Sequence, residues 1–406
     1  MKTKSRPIYR THIYSLEELL KHCFVDGFHA DKVLQHAFKS NPRWGSKDRK
    51  FIAENFYDIV RNWRKLYEIT GEPWIDPPNT EMSNLLFKGV VCAWLMCHYS
   101  AEELPEDIYS NVDSEKLKSQ WKTKGSLEYE VSFPNWIVKR IQEVYTDQAR
   151  EILDQLNEKA PVYLRVNQQK TSSDELVESL KENDIRSHSV NDQTVILDQR
   201  GNVFQSMAFK NGLFEVQDIG SQEIAKFLNP QMGERVLDAC AGAGGKALHM
   251  ADLMKNKGKI LASDIHEWKL KELRKRSSRN GYDLIEAKVL NPKQIKRLKE
   301  SFDGVLLDVP CSGLGVIRRN PDTKWKLTPE RVLELQQIQQ SLLELYSSTV
   351  KPGGRMVYAT CSILPEENRE QVDQFLKQHA EFKLKEDRVI LPGRGDGFYM
   401  ALLTRD

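Results

Sequence analysis

The sequence predicts an α/β fold built on a doubly wound parallel sheet, preceded by an all-helical region, and three observations carry that prediction. Apolar runs of strand length at Arg235 to Ala239, Lys259 to Ser263, Gly304 to Leu307 and Arg355 to Ala359 alternate with polar turns and helical stretches. That alternation belongs to parallel strands joined by crossover helices. A glycine-rich segment, Asp238-Ala239-Cys240-Ala241-Gly242-Ala243-Gly244-Gly245-Lys246, follows the first run. The front of the chain instead spaces its apolar residues at helical intervals. Ligands of a doubly wound sheet bind beyond the carboxyl ends of its strands, so the turns after these runs are where chemistry is expected.

From the start, Ser15-Leu16-Glu17-Glu18 has the form of a capping box, with Leu16, Leu19, Leu20, Cys23 and Phe24 continuing on one helical face. Ile52, Phe56, Ile59, Val60, Trp63, Leu66 and Tyr67 recur on one face of a second helix. Pro73, Pro77 and Pro78 close that region, and Leu85 to Tyr99 supplies another apolar helix. The lysine-rich polar stretch from Ser114 to Ser126 marks a boundary. After it come helices at Trp136 to Tyr145 and near Glu151 to Glu158, a strand at Val162 to Val166, a helix at Asp174 to Glu182 and a strand at Thr194 to Leu197. These form a small α/β module. Thr328-Pro329-Glu330 opens the longest helix of the last part, with a capping hydroxyl and a proline at the first helical position.

A chain of 406 residues exceeds what one core usually serves. Three parts are predicted, at 1–125, 126–210 and 211–406. With 40% apolar and 29% charged residues the composition is that of an ordinary soluble protein. No apolar run of about eighteen residues offers a membrane span, and the basic start, Met1 to Arg6, has no apolar stretch behind it. A monomer in the cytoplasm, not associated with membranes, is the default expectation. The six cysteines are scattered, which favours reduced thiols over a disulfide framework. Cys92 and Cys97, beside His98, lack the paired spacing of a metal site and are read as core thiols, so no metal is predicted.

The net charge of +2 does not announce a polyanion partner. Locally, Lys39, Arg43, Lys47, Arg49, Lys50, Arg61, Arg64 and Lys65 surround Trp44 and Trp63. This mixture suits phosphate contacts and base stacking, and equally a solvated helix face with its tryptophans in the core.

In the glycine-rich loop, Gly242, Gly244 and Gly245 let the backbone turn tightly and approach a ligand, while the following helix directs free amides at it. Asp264, ending the next strand run, can accept both hydroxyls of a ribose, which suits NAD and S-adenosylmethionine equally. Two cysteines then stand at later strand ends, in Asp308-Val309-Pro310-Cys311-Ser312-Gly313 and Ala359-Thr360-Cys361-Ser362. They provide neither a proton donor for a substrate carbonyl nor a nicotinamide pocket. A thiolate that adds to C6 of a cytosine would raise electron density at C5, where a sulfonium methyl can be taken.

These segments resemble the RNA 5-methylcytosine methyltransferases of the Sun/NOL1 family, and most closely their bacterial 16S ribosomal RNA members. The similarity includes Phe302 to Gly313, Arg318-Arg319-Asn320-Pro321-Asp322-Thr323-Lys324-Trp325, Lys351-Pro352-Gly353-Gly354, Thr360-Cys361-Ser362 and Asp396-Gly397-Phe398-Tyr399. Pro161 to Asn167 and Val216-Gln217-Asp218 resemble the family's small RNA-binding module and its junction. Ser46-Lys47-Asp48-Arg49 with Val60-Arg61 resembles its NusB-like helical domain. The resemblance implies a Rossmann-like methyltransferase sheet, an N-terminal NusB-like domain and an RNA-binding α/β module. It implies Cys361 as nucleophile, Cys311 as the thiol that assists release, and Asp308 as the group that hydrogen-bonds the pyrimidine. Cys240, Ala241, Gly242, Ala243, Gly244, Gly245, Lys246, Asp264 and Asp308 would hold S-adenosylmethionine, with Lys246 also orienting groups around Cys361. Arg318, Arg319, Lys324 and Trp325 would grip the RNA or serve the structure.

Two departures follow from this comparison. The family loop commonly reads Cys-Ala-Ala-Pro-Gly-Gly-Lys-Thr, whereas Ala243 stands here in place of the proline, which predicts a less preorganised loop and weaker cofactor binding. An aspartate that commonly contacts the adenine is absent from Glu286 to Asn291, leaving Asn291 as a substitute by type, or Val289 and Leu290 by packing. Ribosomal RNA is the expected substrate. Transfer RNA, a non-catalytic RNA-binding assembly role and, more remotely, NAD-dependent oxidoreduction are the competing expectations.

Overall fold

The computed structural model describes residues 7–75, 78, 82–106 and 113–406. The basic start, Met1 to Arg6, and Pro77 lie outside the described residues. The chain divides into two compact units, one formed by Met1–Glu158 with Ile317–Thr328, the other by Lys159–Val316 with Pro329–Asp406.

The first unit is helical among its described residues. It contains α1 (Arg10–Phe24), α2 (Ala30–Ser40), α3 (Ser46–Arg61), α4 (Trp63–Ile69), α5 (Asn84–His98), α6 (Ser114–Lys122), α7 (Leu127–Val131), α8 (Asn135–Tyr145) and α9 (Ala149–Leu156). The apolar face predicted from Ile52 to Tyr67 is buried throughout, and the chain breaks at Asn62 between α3 and α4. Trp63 stacks on Phe24 with ring centroids 4.0 Å apart at the centre of this core.

One local prediction is corrected here, and the structure fills in two further regions. Ser15 caps nothing; it lies inside α1, where its hydroxyl donates to the Thr11 carbonyl at 2.7 Å. The polar stretch after Asp113 is a helix, α6, whose first turn is capped by the Asp113 carboxylate accepting from the Lys116 amide at 3.0 Å. Trp63, Arg61 and Arg64 of the basic region are buried. Arg61 donates to the carbonyls of Glu158 and Arg318, and Arg64 to the Phe133 carbonyl and to Asn135 Oδ1.

Segment 317–328 behaves in the same way. Arg318, Lys324 and Trp325 are almost wholly buried. Lys324 Nζ donates to the Arg61 carbonyl at 2.9 Å and Asn157 Oδ1 at 2.8 Å, and Trp325 Nε1 donates to the Val60 carbonyl at 2.7 Å. Burial pushes the Lys324 ammonium well below the usual lysine range. These groups satisfy the interior of the unit, so Lys324 and Trp325 present no surface for gripping RNA.

The second unit holds two sheets. The smaller has the order β2-β3-β1-β4 and is antiparallel throughout, from β1 (Tyr163–Val166), β2 (Ser187–Asn191), β3 (Thr194–Leu197) and β4 (Phe214–Val216). Helices α10 (Ser173–Lys181) and α11 (Met207–Lys210) accompany it. Its last strand lies beyond residue 210 and pairs Glu215 with Arg165.

The larger sheet has seven strands in the order β10-β11-β9-β8-β5-β6-β7. Strands β5 (Arg235–Asp238), β6 (Lys259–Ala262), β7 (Ile285–Ala287), β8 (Phe302–Asp308) and β9 (Val350–Thr360) are parallel, while β10 (Phe382–Ile390) and β11 (Phe398–Arg405) add an antiparallel hairpin at one edge. Around it run α12 (Ile219–Leu228), α13 (Gly245–Leu253), α14 (Glu267–Asn280), α15 (Pro292–Lys296), α16 (Pro329–Ser347) and α17 (Arg369–Leu376). The inner strands are buried on both faces, Val236 and Leu306 toward one apolar cluster and Leu237, Val305 and Leu307 toward the other. That is why they read as continuous apolar runs. The chain passes from β5 outward to β7 and returns to β8, which makes the junction of β5 and β8 the switch point of the sheet.

Candidate active site

All the predicted chemistry of the second unit falls on neighbouring strand ends. The glycine loop follows β5, Asp264 follows β6, Asp308 closes β8 and Cys361 follows β9, and these four strands are adjacent in the order β9-β8-β5-β6. Parallel register pairs Asp308 with Ala359, which brings the turns carrying Cys311 and Cys361 side by side. Their sulfur atoms are 3.3 Å apart as free thiols.

Lys246, in the first turn of α13, reaches the same place. Its Nζ lies 2.5 Å from Asp308 Oδ2. Burial works against the Lys246 charge, but Asp308, assisted by Cys361 and Asp238, outweighs it and raises the lysine above its ordinary range. Lys246 is thereby a cation held between the strand-end carboxylate and the Cys361 side. Cys311 has the opposite surroundings. The hydrogen bond with Cys361, burial and the charge of Glu367 push its thiol well above the ordinary range. Removal of a second proton from a close thiol pair is disfavoured because like charges would face each other.

Beneath the cysteine turns lies a buried polar network. Glu367, fully buried, accepts the Ser312 amide at 2.8 Å, the Ser312 hydroxyl at 2.5 Å and Gln339 Nε2 at 3.1 Å. Gln339, from α16, also donates to the Pro310 carbonyl at 3.0 Å. Ser312 and Ser362 contact through their hydroxyls at 3.1 Å, and Asn368 donates to the Ser362 carbonyl at 3.0 Å. Cys311 and Cys361 are thus each followed by a serine that ties its turn down. The sequence carried that signal as two Cys-Ser pairs, but Glu367, Gln339 and Asn368 were not singled out. Pro365–Glu367 is a single short turn, and Glu367 points from it into this network.

The cofactor side is a cavity of about 400 Å³ lined by Cys240, Asp264, Ile265, Leu290, Leu342 and Tyr346, among others. Asp264 orders its rim: one carboxylate oxygen accepts the Gly242 amide at 2.9 Å and the other the His266 amide at 2.8 Å. The three glycines have different reasons. Gly242 has φ +54° and Gly244 φ +87°, and a Cβ at Gly244 would lie 2.5 Å from Leu273 Cγ. Gly245 has neither a positive φ nor a steric conflict, since a Cβ there would meet nothing within 4 Å. Its missing side chain leaves space for a ligand to approach the backbone. Asp238, at the end of β5, is buried, and burial followed by the charge of Asp308 pushes its carboxyl up to about 7. Desolvation beside Asp238, Asp308 and Asp264 pushes the Cys240 thiol up as well.

Asn291 is not an adenine-facing group. Its side chain caps α15, accepting from the Gln294 amide at 2.9 Å, whereas Leu290 lines the cavity. Ile265, Leu290, Ile338, Leu342 and Tyr346 give the cavity apolar lining, which suits a purine face. The glycine loop, the Asp264 carboxylate and the apolar lining together fit S-adenosylmethionine.

A mixed α/β sheet with a glycine loop at its switch point and a charged, thiol-bearing face beside it defines a Rossmann-like methyltransferase domain. The family model for 16S rRNA methyltransferase RsmB/F matches residues 225–404, and that for the RsmF/B-like ferredoxin-like domain matches residues 133–204. A Synechocystis protein named "Probable ribosomal RNA small subunit methyltransferase B" is 36% identical over 398 residues, covering 87% of this chain and 86% of the relative. Ribosomal RNA small subunit methyltransferase B of Yersinia enterocolitica is 38% identical over 285 residues, covering 67% of this chain and 66% of its own length. Among solved structures, that of PH0851 covers 99% of this chain and 100% of its own, with a TM-score of 0.81 at 26% identity. A methyltransferase homologue from Pyrococcus horikoshii covers 70% of this chain and 100% of its own, with a TM-score of 0.61 at 26% identity. The chain belongs to the RsmB/F family of 16S rRNA methyltransferases.

Proposed function

We propose that this protein is an S-adenosylmethionine-dependent methyltransferase that modifies C5 of a cytidine in 16S ribosomal RNA through a cysteine adduct at C6. The observation that carries this is the thiol pair, 3.3 Å apart on adjacent strand ends, on the same edge as the Lys246–Asp308 pair and the glycine loop. S-adenosylmethionine supplies the electrophilic methyl group. Cys361, with the Lys246 cation on its side, adds as thiolate to C6, while Asp308 hydrogen-bonds the pyrimidine and favours the electron shift toward C5. After transfer, the C5 proton passes to water, the C5–H electron pair re-forms the C5–C6 double bond, and the C6–S bond breaks, returning its electron pair to Cys361. Cys311 keeps its proton under these conditions and donates a hydrogen bond to the departing sulfur, which assists release.

The target base must leave its stack to reach this edge, so an unpaired or locally opened cytidine is the substrate form. The helical front of the chain would be a NusB-like domain and the small four-stranded sheet with its helices an RNA-binding module, both supplying affinity and placement to a monomeric enzyme in the cytoplasm. The test is transfer of labelled methyl from S-adenosylmethionine to unmodified ribosomal and transfer RNA, with nucleoside mass spectrometry and Cys361→Ala as control. The expected product is 5-methylcytidine in the ribosomal pool only, absent with the variant. Label in transfer RNA alone would reassign the substrate, and label in any other nucleoside would overturn the chemistry.

A further inference from the structure

A loop containing three glycines has little of its own to hold it, and side chains of other elements hold its carbonyls. Arg276, on α14, donates through Nη1 to the Ala243 carbonyl at 2.7 Å. Arg165, on β1 of the small sheet, donates through Nη1 to the Gly245 carbonyl at 2.8 Å and also bonds Gln217. Leu273, one turn before Arg276 on the same helix face, occupies the space a Cβ at Gly244 would need.

Both guanidiniums are tied to the small sheet. Glu215, on β4, is buried and accepts Arg276 Nη2 at 2.8 Å; Arg279 and Asn280 complete its surroundings. Arg165 is itself buried, in a place where desolvation disfavours its charge. A buried arginine is costly unless its donors are used; Arg165 spends one of the two hydrogen bonds of Nη1 on the loop, while its Nε makes none among the described residues.

We propose that Arg165 and Arg276 are positioning residues for the cofactor loop, so that the small sheet, through Arg165 and Glu215, is part of the cofactor site. Preorganisation therefore comes from outside the loop, and the absence of a stiff residue at position 243 does not leave it loose. The proposal rests on the loop being the S-adenosylmethionine site.

The experiment measures binding of S-adenosylhomocysteine by calorimetry to the full chain and to Arg276→Lys, which keeps a cation for Glu215 but cannot hold Glu215 and Ala243 with the same fork. Hydrogen exchange of the peptide spanning residues 238 to 248 is followed in both cofactor-free proteins. A Kd raised about tenfold in the variant, with faster exchange confined to that peptide and an unchanged melting temperature, is the expected result. Arg276→Gln is measured alongside and should behave at least as severely. A Kd within about twofold of the parent, or a loss of binding matched by exchange rising throughout the sheet, overturns the proposal. Failure of the parent protein to bind S-adenosylhomocysteine overturns instead the assignment of the site on which the proposal stands.

Discussion

The glycine loop after β5 and the cysteine turns after β8 and β9 stand on one edge of one sheet, yet they are held in different ways. Two carbonyls of the glycine loop are gripped by the cationic Arg165 and Arg276, and one of its amides by Asp264. The Cys311 turn is gripped by the amide and hydroxyl of Ser312, from the anionic Glu367, and the Cys361 turn by the Ser362 carbonyl, from Asn368. A glycine loop offers only backbone, and its outward carbonyls call for donors. The cysteine turns bring their own serines, and a carboxylate can accept from both the amide and the hydroxyl of Ser312. The choice has a chemical consequence. The hydrogen bond with Cys361 and burial, with the Glu367 anion adding to them, push the Cys311 thiol up, while Lys246 puts a cation on the Cys361 side. The scaffold thus makes two adjacent thiols unequal.

The largest expected effects test that inequality. Cys361→Ala should lower methyl transfer by at least about a thousandfold, as loss of a nucleophile does, and should form no covalent RNA complex. Cys311→Ala should instead accumulate a protein–RNA adduct that survives a denaturing gel. If the two variants behave alike, the thiols share one role and the contrast between their surroundings has no functional weight. Lys246→Met, which leaves Asp308 without its cation, should lower the single-turnover rate by about a hundredfold while leaving folding intact by circular dichroism.

Glu367→Ala ranks next. It leaves the Ser312 amide, the Ser312 hydroxyl and one Gln339 contact without their acceptor in the interior. Thermal unfolding should report a loss of about 3 kcal/mol. Glu367→Gln retains one acceptor oxygen and removes the charge, so the loss should be smaller and Cys311 should titrate at lower pH. Alkylation of Cys311 against pH, in a Cys361→Ala background, reads that shift; an unmoved midpoint would mean the carboxylate only holds shape.

The positions of the loops were legible in the sequence because both-face burial makes parallel strands into uninterrupted apolar runs and leaves their ends as conspicuous polar turns. The Cys311 and Cys361 turns, the glycine loop and Asp264 all fall on that edge for this reason. What was not legible is where long cations end. Arg61, Arg64, Arg318, Lys324 and Trp325 suggest a nucleic-acid surface by composition, but in the first unit they are buried. Nothing in a one-dimensional pattern distinguishes a guanidinium aimed at phosphate from one aimed at a carbonyl. Arg165 and Arg276 escaped notice for the same reason, being ordinary cations far in sequence from the loop they hold. The β10–β11 hairpin was missed because β10 has the alternating, half-exposed pattern of an edge strand and lacks the apolar run of the inner strands.

The smallest effect concerns Asp238, which stands between the two regions at the end of β5 and feels Asp308 on one side and Asp264 on the other. Burial and these charges place its folded pKa at about 7, above the usual carboxyl value of about 4. Between those two values the folded chain keeps a proton that the unfolded chain gives up. The associated stability is complete below the lower value and is lost as pH rises through 7. Asn has no proton to lose, so the stability of Asp238→Asn relative to the parent should grow between about pH 5 and pH 8. The full shift corresponds to roughly 4 kcal/mol, and partial water access to an interior carboxylate brings the expected difference to about 2 kcal/mol. Calorimetric unfolding of the cofactor-free proteins at the two pH values measures it. Parallel curves would mean that Lys246 already neutralises Asp238 as well as Asp308, extending the cation's reach from the cysteine side into the cofactor side. A widening gap would mean that Lys246 is committed to Asp308, and that the two halves of the edge are electrostatically separate.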